Sequence, residues 1–151
     1  MIMEKKRLTR ILAKADRHIV TAMADDIRKI YAPVIVKEPA KTLTMIKVRE
    51  PVKQSLFYIG EVIVCEAAVE IDGVGGTAVL MGDNTEKTLH IAIIDAAINK
   101  GVFCGMDTLL ELENEQNEEE ARENAMFLKT TVNFQSMDQE APGDLTAFKK
   151  A

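Results

Sequence analysis

Between Lys5 and Ala15 the apolar residues Leu8, Ile11, Leu12 and Ala15 form one stripe of an amphipathic helix. A second stripe, Ile19, Ala22, Met23, Ile27 and Ile30, predicts a helix over His18–Tyr31, so the N-terminal helices cover about residues 4–31. Pro33 ends that helix, because the residue before a proline is pushed toward extended geometry. Beyond it the period shortens. Val34–Val36, bounded by Pro33 and Pro39, and the β-branched run Thr42–Arg49 both read as strands.

The next strand begins near Leu56. Its odd positions, from Phe57 to Ile71, are apolar except at Glu61, and the middle of its even face is apolar too. That pattern predicts a central strand covered on both sides. Gly60 marks a bulge that re-aims Glu61 toward the surface. Asp72–Gly73 is a tight-turn signal, followed by a short strand over Thr77–Met81. Asp83 or Asn84 caps a helix over Thr85–Lys100 that is apolar around most of its circumference and therefore buried, with Gly101 ending it. A last helix starts near Asp107 and runs toward Leu128. Its middle, Glu113–Glu120, lacks apolar residues and cannot pack on a core. Thr130–Met137 reads as a final strand, and the tail over 138–151 as flexible.

Together these elements predict an α+β fold in a single domain spanning residues 1–151. A mostly antiparallel sheet of about four to five strands packs with the N-terminal helices, a buried central helix and a C-terminal helix. With 151 residues, 5% aromatics and no Trp, the core is aliphatic.

The net charge of −5 argues against a nucleic-acid partner. The charge is nevertheless segregated: the first helix is basic and Glu111–Glu123 is acidic. Two distant cysteines, Cys65 and Cys104, suggest a reducing, cytoplasmic setting. No apolar run is long enough for a membrane span.

Candidate chemistry is sparse. The glycines at 73–76 follow a strand but precede another strand, so they form a hairpin turn and not a phosphate loop. His18 and His90 have no metal-ligand or nucleophile spacing around them, and no metal site, catalytic constellation or cofactor bound by this chain is expected. Lys47 and Arg49, with Lys53 nearby, are candidates for holding an anion such as a phosphonate or triphosphate. Glu61 and Asp95 are acids on otherwise apolar elements, which suggests structural or interface roles.

The stretch VREPVKQSLFYIGEVIVCEAAVEIDGVGGTAVLMGDN, then AIIDAA, then TTVNFQSM, resembles the PhnG subunit of the bacterial carbon–phosphorus lyase system. Arg49, Gly60, Glu61, Gly82 and Asp95 are among the matching positions. The resemblance implies phosphonate catabolism in an assembly with PhnH, PhnI, PhnJ and PhnL. That assembly uses ATP: a phosphonate displaces adenine to give α-D-ribose 1-methylphosphonate 5-triphosphate, with the chemistry assigned mainly to other subunits. It also implies an accessory, structural role for the chain. Two alternatives come from the residues: a free-standing anion- or small-ligand-binding domain, and a module that self-associates when isolated.

Overall fold

The structure is a computed structural model and describes residues 3–132. The chain divides into two compact units, residues 1–118 and 119–151. The element order is α1 (Lys5–Lys14), α2 (Arg17–Ile30), β1 (Val34–Arg49), β2 (Leu56–Ile71), β3 (Val74–Met81), α3 (Thr85–Lys100) and α4 (Met106–Lys129).

In the first unit, β1, β2 and β3 form one antiparallel sheet in that order. The fold is α+β, with three strands among the described residues instead of four to five. One reason is that Val34–Val36 and Thr42–Arg49 are a single strand. Pro39 does not divide them. It lies on an edge strand, inside the register shift between Lys37 and Ala40, where its missing N–H breaks no ladder bond. The other is the expected strand Thr130–Met137. Thr130 to Val132 are not in a strand, and the rest of that segment and the tail lie outside the described residues.

Strand β3 starts at Val74, three residues earlier than the pattern suggested. The hairpin turn is Asp72–Gly73 alone, with φ of 48° and 83°. Both angles are positive, as a two-residue turn matching strand twist requires. Gly75 and Gly76 are strand residues paired with Glu70 and Val69.

Helix α3 packs on the sheet through one side and against α1 and α2 through the other. This explains its apolar circumference: almost every residue from Lys87 to Ile98 is buried. Asn84 caps its start by accepting from the Lys87 amide at 3.0 Å, and Gly101 ends it with a left-handed φ of 78°. Gly76 sets how closely the helix approaches. A Cβ there would lie 2.3 Å from the Ala96 nitrogen and 2.4 Å from the Ala92 oxygen. The buried stripe of α2 is Val20, Met23, Ala24 and Ile27; Ile19 is only partly buried, while Ala22 and Ile30 are exposed.

The first part of α4 attaches by Leu109 and Leu112, which are buried, and then by polar groups. Arg7 grips Glu113 with two hydrogen bonds, and Gln116 donates to the Ile11 carbonyl at 3.0 Å. Part of the basic first helix is therefore matched by the acidic helix of its own chain, and Glu113 is held below the usual carboxylate range by the Arg7 hydrogen bonds. In the second unit, residues 119–129 complete α4. Met126, Phe127 and Leu128 are exposed, and Thr130 closes the last turn onto the Phe127 carbonyl at 3.0 Å.

Candidate functional site

Two places hold the residues singled out by sequence: the seam between α3 and β3, and the distal half of the β1–β2 hairpin.

At the seam, Asp95 is 4% exposed. Its Oδ2 accepts from the Thr77 backbone amide at 2.8 Å and from Lys5 Nζ at 2.9 Å, while Lys5 also donates to Thr77 Oγ1 at 2.7 Å. The carboxylate joins α3, the outer strand β3 and α1, and satisfies a backbone donor that the sheet leaves free. Near the other end of α3, Lys87 is also buried and donates to the Ala13 and Ala15 carbonyls at 2.7 and 2.8 Å, closing the end of α1. Burial pushes its ammonium below the usual lysine range.

His90 is 3% exposed on the same helix. Arg28 Nη1 lies 3.2 Å from its Nε2 and Thr21 Oγ1 lies 3.1 Å from its Nδ1. A guanidinium only donates, so Nε2 accepts and Nδ1 carries the proton of a neutral ring. Burial, then the Arg28 charge, hold His90 below its ordinary value of 6.5. The unfolded chain therefore takes up this proton first. The stability contributed by the neutral ring is complete above pH 6.5 and is lost as pH falls below it. Urea midpoints at about pH 7.5 and about pH 5.5 are expected to differ more in the native chain than in His90→Gln, and equal differences would refute that assignment.

The distal hairpin is a two-stranded arm, residues 42–49 of β1 against 56–63 of β2. Ile46 pairs with Gly60 but Lys47 pairs with Tyr58, so Ile59 is an extra residue beside Gly60. A bulge is present at the expected place, but it does not re-aim Glu61, which stays on the face of Ile63 and Cys65; it reverses the alternation on its tip side instead. Beyond it toward the tip, Leu56 and Tyr58 share the face that Glu61 and Ile63 occupy on the other side, while Phe57 turns to the opposite face. The single odd-numbered apolar face read from the sequence is thus broken at Gly60. Nor is this half of β2 covered on both sides: Ile63 is 52% exposed on one face and Phe57 45% on the other, with Ile59 63% exposed in the bulge. Glu61 is exposed opposite Met45 and forms no ion pair or side-chain hydrogen bond with another described residue.

Lys47 and Arg49 stand two apart on one face near the tip. Lys47 Nζ is 6.0 Å from the centre of the Tyr58 ring, and Arg49 Nη1 donates to the Gln54 carbonyl at 2.7 Å. The tip loop is internally braced. The Glu50 carboxylate accepts from the Val52 and Lys53 amides at 2.9 and 2.7 Å, and the Glu50 amide donates to the Ser55 carbonyl at 2.9 Å. The arm therefore ends in a structured, cationic tip and not in a floppy loop.

A separate cleft of about 230 Å³ lies between the end of α2 and the segment after α3, lined by Met23, Ile27, Tyr31 and Phe103 with Asp26 and Cys104. It contains neither Lys47 nor Arg49 and is smaller than the pockets that usually enclose small-molecule ligands. Sequence reasoning missed Lys87 and the partners of His90, because side chains contacting distant elements leave no local signal. Among the described residues, no helix is long and apolar enough to cross a membrane, and no group of three His, Cys, Asp or Glu could hold a metal ion.

The family model described as phosphonate metabolism protein PhnG matches residues 3–139 of the 151-residue chain. The chain belongs to the PhnG family. The match spans the helical layer, the seam and the arm, so both candidate regions lie inside the PhnG domain. A comparison with curated proteins gives no match. Membership places this PhnG chain in phosphonate metabolism.

Proposed function

We propose that this chain is an accessory, structural subunit of the carbon–phosphorus lyase core assembly and acts in the cytoplasm beside PhnH, PhnI, PhnJ and PhnL. In this role it supports, without catalysing, the ATP-dependent displacement of adenine by a phosphonate that yields α-D-ribose 1-methylphosphonate 5-triphosphate. The observation that carries this reading is the arm of a PhnG-family chain with large apolar side chains exposed along it. An isolated two-stranded ribbon is marginal in water, and contiguous exposed apolar surface commonly marks a protein contact. Among the described residues, the buried side chains Asp95, Lys87 and His90 are each consumed in holding helices together. Co-expression with the PhnH, PhnI and PhnJ proteins of the same genome, followed by light scattering, is expected to give one heteromeric species containing this chain. Elution of the chain alone, apart from an assembly formed by the others, would contradict the role.

A second reading rests on the adjacency of Lys47 and Arg49 on one strand face. In that reading the pair holds the phosphonate or triphosphate. Calorimetry of the isolated chain with ATP and with methylphosphonate decides it. An affinity lost in Arg49→Ala and independent of partners favours ligand binding; the accessory role predicts no heat of binding from either titrant.

A further inference from the structure

An accessory subunit must dock, and the arm supplies a geometry for docking. Resting on that role, we infer that the arm is an insertion element that enters a cleft of a different protein chain, a cleft with apolar walls on two sides and carboxylates where the tip arrives.

Three observations converge. The first is that both faces of the arm are apolar. The bulge at Ile59–Gly60 puts Leu43, Met45, Tyr58 and Ile63 on one face and Ile46 and Phe57 on the other. A flat docking surface would cover one set and leave the other in water. Face-to-face pairing of two copies would do the same. Two walls are needed to remove both sets from water. The second is the tip's internal bracing by Glu50 and Arg49, which lowers the ordering cost of inserting a loop. The third is charge. The tip presents Lys47, Arg49 and Lys53, while Glu50, the acid in the loop, is spent on backbone amides. In a chain of net charge −5 this is a local reversal, and its complement is an acidic surface. Two copies meeting tip to tip would bring like charges together.

The test compares amide hydrogen exchange over residues 42–63 in the isolated chain and in the co-expressed assembly. It adds three variants: Tyr58→Asp with Ile63→Asp on one face, Phe57→Asp on the other, and Lys47→Glu with Arg49→Glu at the tip. All five positions are exposed, so the free variants are expected to melt with the native chain. The inference predicts protection of the arm only in the assembly. It also predicts that each face variant weakens assembly by about tenfold or more, and that the charge reversal weakens it by a similar factor that shrinks at high salt. An assembly that forms with the arm unprotected, or that tolerates all three variants, overturns the insertion while leaving the accessory role standing. Insensitivity of one face alone overturns the two-walled cleft in favour of a flat surface. Arm protection in the isolated chain, abolished by the same variants, overturns it in favour of a second copy. Failure to assemble with any candidate partner removes the accessory role itself, and the insertion with it.

Discussion

Gly76→Ala is expected to destabilise the chain by about 3 kcal/mol, near the top of the range for overpacking, and to lower its melting temperature by roughly 10 °C. The clash is with backbone, since the new Cβ would meet the Ala96 nitrogen at 2.3 Å and the Ala92 oxygen at 2.4 Å. No rotamer change relieves that. Helix α3 must move off the sheet, and it is the element on which α1 and α2 also rest, so the strain spreads to both layers. Gly75→Ala is the matched control. Its Cβ meets nothing within 4 Å, its backbone lies in the same strand, and its midpoint is expected to stay within about 0.5 kcal/mol of the native chain. Thermal melts followed by circular dichroism, with urea titrations at one temperature, check both. Equal behaviour of the two variants would show that the helix–sheet spacing is not set at Gly76.

Asp95→Ala is the second large effect, at about 2–3 kcal/mol. It removes the charged acceptor of the part-buried Thr77 amide, and a hydrogen bond to a charged group contributes about 1.5–3 kcal/mol. The ion pair with Lys5 adds little, because the Lys5 side chain is 56% exposed and recovers water when its partner goes. Asp95→Asn keeps an oxygen that can face the Thr77 amide and is expected to lose about half as much. The order Asp, Asn, Ala in urea midpoint is therefore the signature of an acceptor for Thr77. If Asp95→Asn folds and assembles normally yet the assembly loses turnover, the acid acts in chemistry and its scaffold assignment is wrong.

Elements defined by local patterns were legible in the sequence. The all-round apolar helix became α3 because two layers enclose it, and Asp72–Gly73 became the tight turn because both of its positions need positive φ. The glycine run at 73–76 was only half legible. Its first residue turns the chain, but Gly76 is there for a helix twenty residues further on, and close approach across a packing interface has no local mark. Pro39 looked like a strand end because the edge position and register shift that accommodate it depend on β2. The distal half of β2 carried the pattern of a covered strand, since apolar residues read the same whether their cover comes from one chain or another. Glu61 and Asp95, alike as acids in apolar company, part in space: Asp95 is enclosed by α1 and β3, and Glu61 sits open on the arm.

The proposed role is a division of labour in which this chain supplies docking surface and scaffold while its partners supply the reaction. Adenine released from ATP in the presence of methylphosphonate measures that division directly. The isolated chain is expected to release none, the partners without it to be slow, and the co-expressed assembly to turn over fully, with loss of activity in the arm variants tracking their loss of assembly. Release by the isolated chain at the rate of the assembly would contradict that division.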